Sequence, residues 1–262
     1  RDFGWSSNFT FSWNKNEIVE LVHNYVHPET GELITKERLE IKGLGKAKYI
    51  LKPGGTLGDL YTNSDLVYND DGYIEVDKNG NVAVKDDYMD DIYLGSVFPK
   101  YNLAWRNDFN YKGINLGVLF TARIGGICYS ATQANMDLYG VSEASAAARD
   151  AGGVMINGRD MIDAQKWYQV IGSQSGLPQY YTYSATNVRL QELSLGYTLP
   201  SKWFRDKMRM TVSFVGRNLW MIYCKAPFDP EAVASTGMNY QGIDYFMMPS
   251  MRNLGFNVKF QF

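Results

Sequence analysis

The chain has 262 residues, with 26 Lys and Arg against 28 Asp and Glu and a formal net charge of −2. That balance carries no basic excess of the kind that points to nucleic acid. Mean hydropathy is −0.30, and no apolar run approaches the ~18 residues of a membrane helix. A helical membrane protein is excluded. A β-barrel is not, because lumen-facing polar residues offset lipid-facing apolar ones in such a mean.

In chain order, Asp2–Asn14 alternates, with Phe3, Trp5, Phe9, Phe11 and Trp13 on one face and Asp2, Ser6, Asn8, Thr10 and Ser12 on the other. This is the period of two that a strand imposes on its side chains. The chain opens at Arg1 with no basic leader and is at once inside this pattern, so it reads as a chain entered mid-protein, its location to be inferred from the fold. A tight polar turn is predicted at Asn14–Asn16, a second strand at Ile18–Val26, and a charged loop over His27–Lys52. A third strand is expected at Thr56–Tyr68, a hairpin turn at Asn69–Gly72 and a returning strand at Tyr73–Val76, followed by an acidic loop to Pro99.

Alternation is cleanest in Tyr101–Tyr111 and Ile114–Ile124, joined by a short turn at Lys112-Gly113. A very long connection follows over Gly125–Asn187, with a short helix expected at Glu143–Arg149. In Val188–Leu199 the apolar phase shifts between Leu190 and Leu193, which predicts a bulge near Gln191. Pro200–Lys207 is a turn, and Met208, Met210, Val212 and Phe214 alternate with polar residues in the next strand. Met221–Pro249 is a loop. In the final strand, Met251–Phe262, Leu254, Phe256, Val258, Phe260 and Phe262 share one face.

These elements predict an all-β protein, a transmembrane antiparallel barrel of about nine strands. Short turns at Lys15, Asn69, Lys112 and Pro200 alternate with long loops at 27–55, 77–99, 125–187 and 221–249. That is the pattern of short periplasmic turns and long extracellular loops. Odd positions of Phe3–Trp13 and Tyr101–Tyr111, and even positions of Ile114–Ile124 and Met208–Phe214, are expected to face lipid. Trp5, Trp13, Tyr101, Tyr111, Tyr197, Trp203 and Trp220 lie near strand ends, where interfacial girdles form.

No catalytic constellation emerges, and an enzyme is not expected. Gly172–Gly176 places Gln174 where a nucleophile elbow needs serine. Cys128 and Cys224 form neither a disulfide framework nor a metal spacing. His23 and His27 are four apart, a spacing that suits a metal pair on a helix, but they fall at the end of a strand and are spread along it, so exposed loop histidines are the plainer reading. The acidic residues Asp70, Asp71, Asp77, Asp86, Asp87, Asp90 and Asp91 admit a calcium site, although Asp77–Asn81 has its glycine misplaced and no closing Glu; a solvated loop is the plainer reading. No cofactor is expected. The candidate ligand-binding residues are the loop aromatics Trp167, Tyr168, Tyr180, Tyr181 and Tyr183, with Trp220 and Tyr223, as stacking surfaces for a sugar or peptide. The lumen-side Arg123 and Arg217 join them as partners for an anionic group; pairing with lumen carboxylates is the alternative for both.

Arg189–Pro200 (RLQELSLGYTLP), Val215–Trp220 (VGRNLW), Phe228–Glu231 (FDPE) and the terminal FNVKFQF together resemble SusC-like TonB-dependent outer-membrane transporters of Bacteroidetes. Phe11–Val19, Gly95–Tyr101 and Asn107–Gly113 fall in the same order. The resemblance implies that residues 1–262 are the C-terminal part of a plugged barrel of about 22 strands, surrounded by outer-membrane lipid, with its C-terminus in the periplasm. It further implies import of a glycan or peptide, a SusD-like surface lipoprotein as partner, and drive from the TonB complex through a segment not in this chain. Residues 125–187 are expected to help hold ligand and lipoprotein. A free-standing small barrel or extracellular β-protein that only binds is the alternative; an odd strand count would leave it an unpaired edge.

Overall fold

The computed structural model describes residues 3–86, 91–237 and 240–262. Asp2, Asp87 and Asp90, named above, lie outside the described residues. Six long strands form one antiparallel meander: β1 (Phe3–Trp13), β2 (Tyr101–Tyr111), β3 (Ile114–Ile124), β4 (Asn187–Thr198), β5 (Arg209–Cys224) and β6 (Asn253–Gln261). Each pairs with its neighbour in sequence, and the sheet does not close; β1 and β6 are its edges.

The strands expected at Ile18–Val26, Thr56–Tyr68 and Tyr73–Val76 are not part of this sheet. Among the described residues this sheet has six strands, not nine, and the turn at Lys15 does not return the chain to it. Residues 14–100 are a single connection. The Asn69–Gly72 turn does form, with the Tyr73 carbonyl accepting from the Asn69 N–H at 2.9 Å, but it lies inside that connection. The segments fail as sheet strands because they pair among themselves. Leu39–Lys42, Lys48–Leu51, Asp59–Thr62 and Ile92–Ser96 make a separate four-stranded sheet, and all of Asp59–Thr62 is buried. Removing these strands sharpens the alternation of loops. Connections 14–100, 125–186 and 225–252 gather at one end of the sheet, and 112–113 and 199–208 at the other.

The bulge falls where the apolar phase predicts it. Glu192 faces Leu119 and Leu190 faces Phe120, so Gln191 is the extra residue. β5 answers with its own irregularity at Asn218, where φ is +52°. The helix predicted at Glu143–Arg149 is present as Glu143–Asp150, its first turn capped by the Ser142 hydroxyl accepting from the Ser145 N–H.

The sheet is inverted relative to a water-soluble one. Not one apolar residue of its six strands is buried, whereas Asn107, Asn187 and Arg189 are. The exposed side chains form continuous rows across the strands. Phe9, Trp105, Phe120, Leu190 and Trp220 make one such row, and Phe214 meets Phe256 edge-on at 5.5 Å in another. The assigned odd and even faces are those observed. Ser7 and Asn107 interrupt the apolar face. The Trp105 indole donates to the Ser7 hydroxyl (3.0 Å) and the Trp5 indole to the Asn107 side-chain carbonyl (3.2 Å), so neither polar group is left unpaired beneath the rings.

The water-excluded core lies wholly in the three long connections. Tyr49, Leu60, Leu66 and Val82 from the first pack with Tyr129, Ile162, Trp167, Ile171 and Leu177 from the second and Ile243 from the third. Specific bonds join them. The Asn157 amide both donates to and accepts from the Ile74 backbone (2.9 Å each). Tyr129 and Ser130 pair in parallel with Ile243 and Asp244, and the Ser130 hydroxyl donates to buried Asp244 at 2.6 Å. Gly45, at φ +61°, lies so close to the second connection that a Cβ would sit 1.5 Å from the Gln174 carbonyl oxygen. The long connections are therefore one folded layer capping one end of the sheet.

Val118 sits near the middle of β3 on the apolar face. Val118→Arg is expected to lower stability by about 2–4 kcal/mol, the cost of a cation near a bilayer midplane. Asn257→Arg, on the polar face of β6, should cost far less. The urea midpoint of the folded band on unheated gels reads both; equal effects would refute the assigned faces.

Candidate functional site

The polar face of the sheet carries a charged network across its strands. On β2, Arg106 forms a two-pronged pair with Asp108 (3.0 and 3.1 Å). It reaches over β3 to Glu192 on β4 (3.3 Å), and Glu192 accepts from Arg217 on β5 at 2.9 Å. Gly117 makes the crossing possible, since a Cβ there would lie 2.5 Å from the Ser194 hydroxyl and 3.0 Å from the Asp108 carboxylate. Two cations meet two anions, so the network has no net charge. Arg217 therefore takes the carboxylate-paired role, with Glu192 as partner, although 65% of its side chain stays exposed. Nearer the loop layer, Arg123 faces Asn102 and Asn187 across the strands, and its buried Nε has no hydrogen-bond partner among the described residues.

Above this network lies a second, buried cluster. Arg189 of β4 and Asp229 of the third long connection pair through two bonds, at 3.0 and 3.3 Å, with side chains 5% and 8% exposed. Glu231 approaches the same guanidinium at 3.3 Å, and Asn187 and Asn218 accept its remaining hydrogens. The Ser250 hydroxyl donates to Asp229, and the Asn218 amide donates to Ser250 and to the Met251 carbonyl. Burial pushes the Asp229 carboxyl upward, but bonds from Arg189, Ser250 and the Glu231 N–H outweigh it and hold the group below the usual carboxylate range. The motifs at 189–200, 215–220 and 228–231, far apart in sequence, thus meet at one point and clamp the third connection to the wall.

The structure separates the predicted aromatic residues. Trp167 and Tyr181 are core residues of the loop layer, and Trp167 stacks edge-on against Tyr180 at 5.9 Å. Tyr183 packs edge-on against Phe228 at 5.5 Å, and Tyr168 is half-buried against the same core. They stabilise the layer instead of forming one open stacking platform. Trp220 and Tyr223 lie on the outer apolar face, in the rows of Leu190 and Val188, away from the polar face altogether. The double bulge of β5 sets their phase, and a strict alternation count does not see it. Sequence reasoning missed Arg106, Glu192 and the Arg189–Asp229 clamp as site residues. The unpaired-looking charges within alternating strands were the available signal.

Asp77 is occupied by its own turn, accepting from the N–H groups of Asn79 and Asn81 at 2.8 Å each. Asp86 pairs with Lys46, and Asp91 with Arg38 and Lys48. Among the described residues no three acidic, His or Cys side chains converge as a metal site would require. His27 caps its own turn, and both cysteines are free; burial pushes the Cys128 thiol up to about 12.

Asp229→Ala removes the buried two-bond partner of the Arg189 guanidinium and leaves only the half-exposed Glu231 as counter-charge, and the loss is expected to be about 3–5 kcal/mol. Because the folded Asp229 carboxyl is held low, its contribution is complete above the ordinary carboxylate range and is lost as pH falls through and below it. Limited proteolysis of 225–252 against pH reads this. Wild type should become sensitive only in acid, and Asp229→Asn already at neutral pH.

No protein-family model matches the chain. TonB-dependent receptor P3 of Formosa agariphila is 24% identical over 288 residues, covering 99% of this chain and 27% of that protein. TonB-dependent receptor P39 of the same organism is 23% identical over 300 residues, covering 98% of this chain and 28% of that one. The chain therefore spans a little over a quarter of the length of these curated relatives. Among solved structures, the RagAB peptide transporter superposes with a TM-score of 0.61 at 16% identity, over 99% of this chain and 27% of the other. The RagAB peptide importer in its 'open-open' state gives 0.58 at 17% identity, over 99% and 26%. Across nearly its whole length the chain is thus similar to about a quarter of a TonB-dependent receptor, as its motifs implied, and it shares the β-barrel fold of RagAB.

Proposed function

We propose that the chain forms the C-terminal part of the barrel wall, and the loop layer above it, of an outer-membrane TonB-dependent importer. It would take up glycans or peptides captured with a SusD-like surface lipoprotein. The observation that carries this reading is the inverted sheet, apolar outside and charged within, capped at one end by a folded layer. Only a bilayer rewards such a wall, and only further strands can satisfy the open edges of β1 and β6 in hydrocarbon. This favours a portion of a larger barrel over a free-standing binding module. Ligand would pass along the face bearing Arg106, Asp108, Glu192 and Arg217, with Arg123 nearer the entrance. The TonB complex would act through a part of the transporter outside these residues.

In this reading the layer of long connections is extracellular, and the 112–113 and 199–208 turns and the C-terminus are periplasmic. An epitope inserted at Lys78 of the full-length protein should bind antibody on intact cells, and one at Lys202 only after outer-membrane permeabilisation. The reverse pattern would refute the orientation. Disrupting the gene should abolish uptake of an oligosaccharide or oligopeptide pool, and the tagged protein should co-purify a surface lipoprotein. Unchanged uptake of both pools would refute the importer.

A further inference from the structure

The turn end of the sheet carries a charge of its own. Turns 112–113 and 199–208 hold Lys112, Lys202, Arg205 and Lys207 against one acid, Asp206, in a chain of net charge −2. All four cations are exposed, and among the described residues none is ion-paired. Asp206 is engaged by its own turn, accepting from the Ser201 hydroxyl at 2.6 Å. Arg205 and Asp206, left-handed at φ +55° and +58°, close that turn behind the short helix Ser201–Phe204. The two turns are fastened to each other. The Thr198 N–H donates to the Gly113 carbonyl at 2.7 Å, and the Asn115 amide donates to the Gly113 carbonyl and the Thr198 hydroxyl at 3.2 and 3.0 Å. Trp203, in the longer turn, stands 70% exposed.

Building on the importer reading, we infer that these two turns bind the headgroups of anionic glycerophospholipids in the periplasmic leaflet, the cations meeting phosphates and Trp203 lying in the interface. The outer apolar face ends here in a row of exposed side chains, Phe3, Tyr111, Ile114, Tyr197 and Val212. Hydrocarbon stops at such a row, and the headgroup region begins just beyond it. The Lys112 ammonium sits 5.3 Å from the centroid of the outward-facing Tyr111 ring, so one cation stands at that border on its lipid side. A tryptophan among long cationic side chains suits the same border, with the ring in the interface and the charges reaching outward. The strands missing from this sheet do not cover the site. Both turns join strands within β2–β5, and β1 and β6 stand between them and the open edges. Charge then selects the lipid. A zwitterionic headgroup sets its own ammonium beside the phosphate, whereas an anionic one leaves the attraction uncancelled.

The test uses full-length protein in neutral detergent micelles, with fluorescent phosphatidylglycerol and phosphatidylcholine as probes. Wild type should prefer phosphatidylglycerol, and added salt should erode the preference. The variant Lys202→Gln/Arg205→Gln/Lys207→Gln should bind phosphatidylglycerol roughly tenfold more weakly or worse. Lys202→Arg/Lys207→Arg, which keeps the charge, should bind as wild type. Lys36→Gln/Lys42→Gln/Lys78→Gln removes three exposed cations from the loop layer and should also bind as wild type. The folded band on unheated gels confirms that each barrel has assembled. Equal binding of the two lipids by wild type would overturn the inference without any variant. So would an unchanged triple-turn variant, or an equal loss in the loop-layer variant. The epitope at Lys202 reports on the underlying orientation separately. Antibody access on intact cells, with lipid selectivity intact, would overturn the periplasmic placement. A shielded epitope with no lipid selectivity would overturn the lipid site alone.

Discussion

Arg189 is a charged side chain taken almost entirely out of water, and such a burial is tolerated only where partners replace its hydration. Asp229 supplies two of the bonds, and Asn187, Asn218 and Glu231 occupy the rest of the guanidinium. The consequence extends beyond the pair. Asp229 also holds Ser250, and Asn218 holds Ser250 and Met251, so both ends of the third long connection are fastened to the top of the wall. That connection in turn supplies Ile243 and Asp244 to the strand at Ile127–Ser130. The loop layer is thereby fixed to the sheet through a polar junction, on the face that a barrel turns inward.

The molecule is built for two solvents. The sheet satisfies its backbone by strand pairing and turns its apolar side chains outward, so its stability depends on a surrounding that is itself apolar. The layer follows the opposite rule, with aromatic and aliphatic side chains from all three connections packed away from water. The same residue types therefore have opposite fates on either side of the sheet's end. Phe9 and Trp105 are exposed in the wall, whereas Tyr49 and Trp167 are buried in the layer. Mean hydropathy near zero results from this division and does not report on solubility.

This division also explains what could be read from the sequence. Strands β2, β3 and β6, and β5 up to its bulge, are legible because one face is mostly apolar and the other mostly polar. The Gln191 bulge is legible because it breaks that phase by one residue. Residues 14–100 are not, since their short strands pair within the connection, two of them, Lys48–Leu51 and Asp59–Thr62, buried on both faces, and local alternation cannot distinguish that from a crossing strand. The loop aromatics looked available for stacking because composition does not say which side chains find each other. Trp167, Tyr180 and Tyr181 find the layer's own core. The clamp was visible as three motifs in chain order, but their meeting at Arg189 is a property of the register of β4 and β5 and of the fold of the third connection.

The charged network on the inner face follows from the same register. Arg106, Asp108, Glu192 and Arg217 come from strands β2, β4 and β5, and Gly117 removes the side chain that would block the crossing over β3. A pair of like charges left alone on this wall would create a fixed field and bind one class of ligand tightly. The alternating arrangement instead cancels at a distance and leaves individual donors and acceptors at close range. Arg217 shows how this works: one nitrogen is committed to Glu192, and most of its side chain stays exposed. On the proposed path, the exposed remainder of the Arg217 guanidinium can meet a passing carboxylate or hydroxyl while its Nε stays bonded to Glu192. On that path such a surface favours passage over retention.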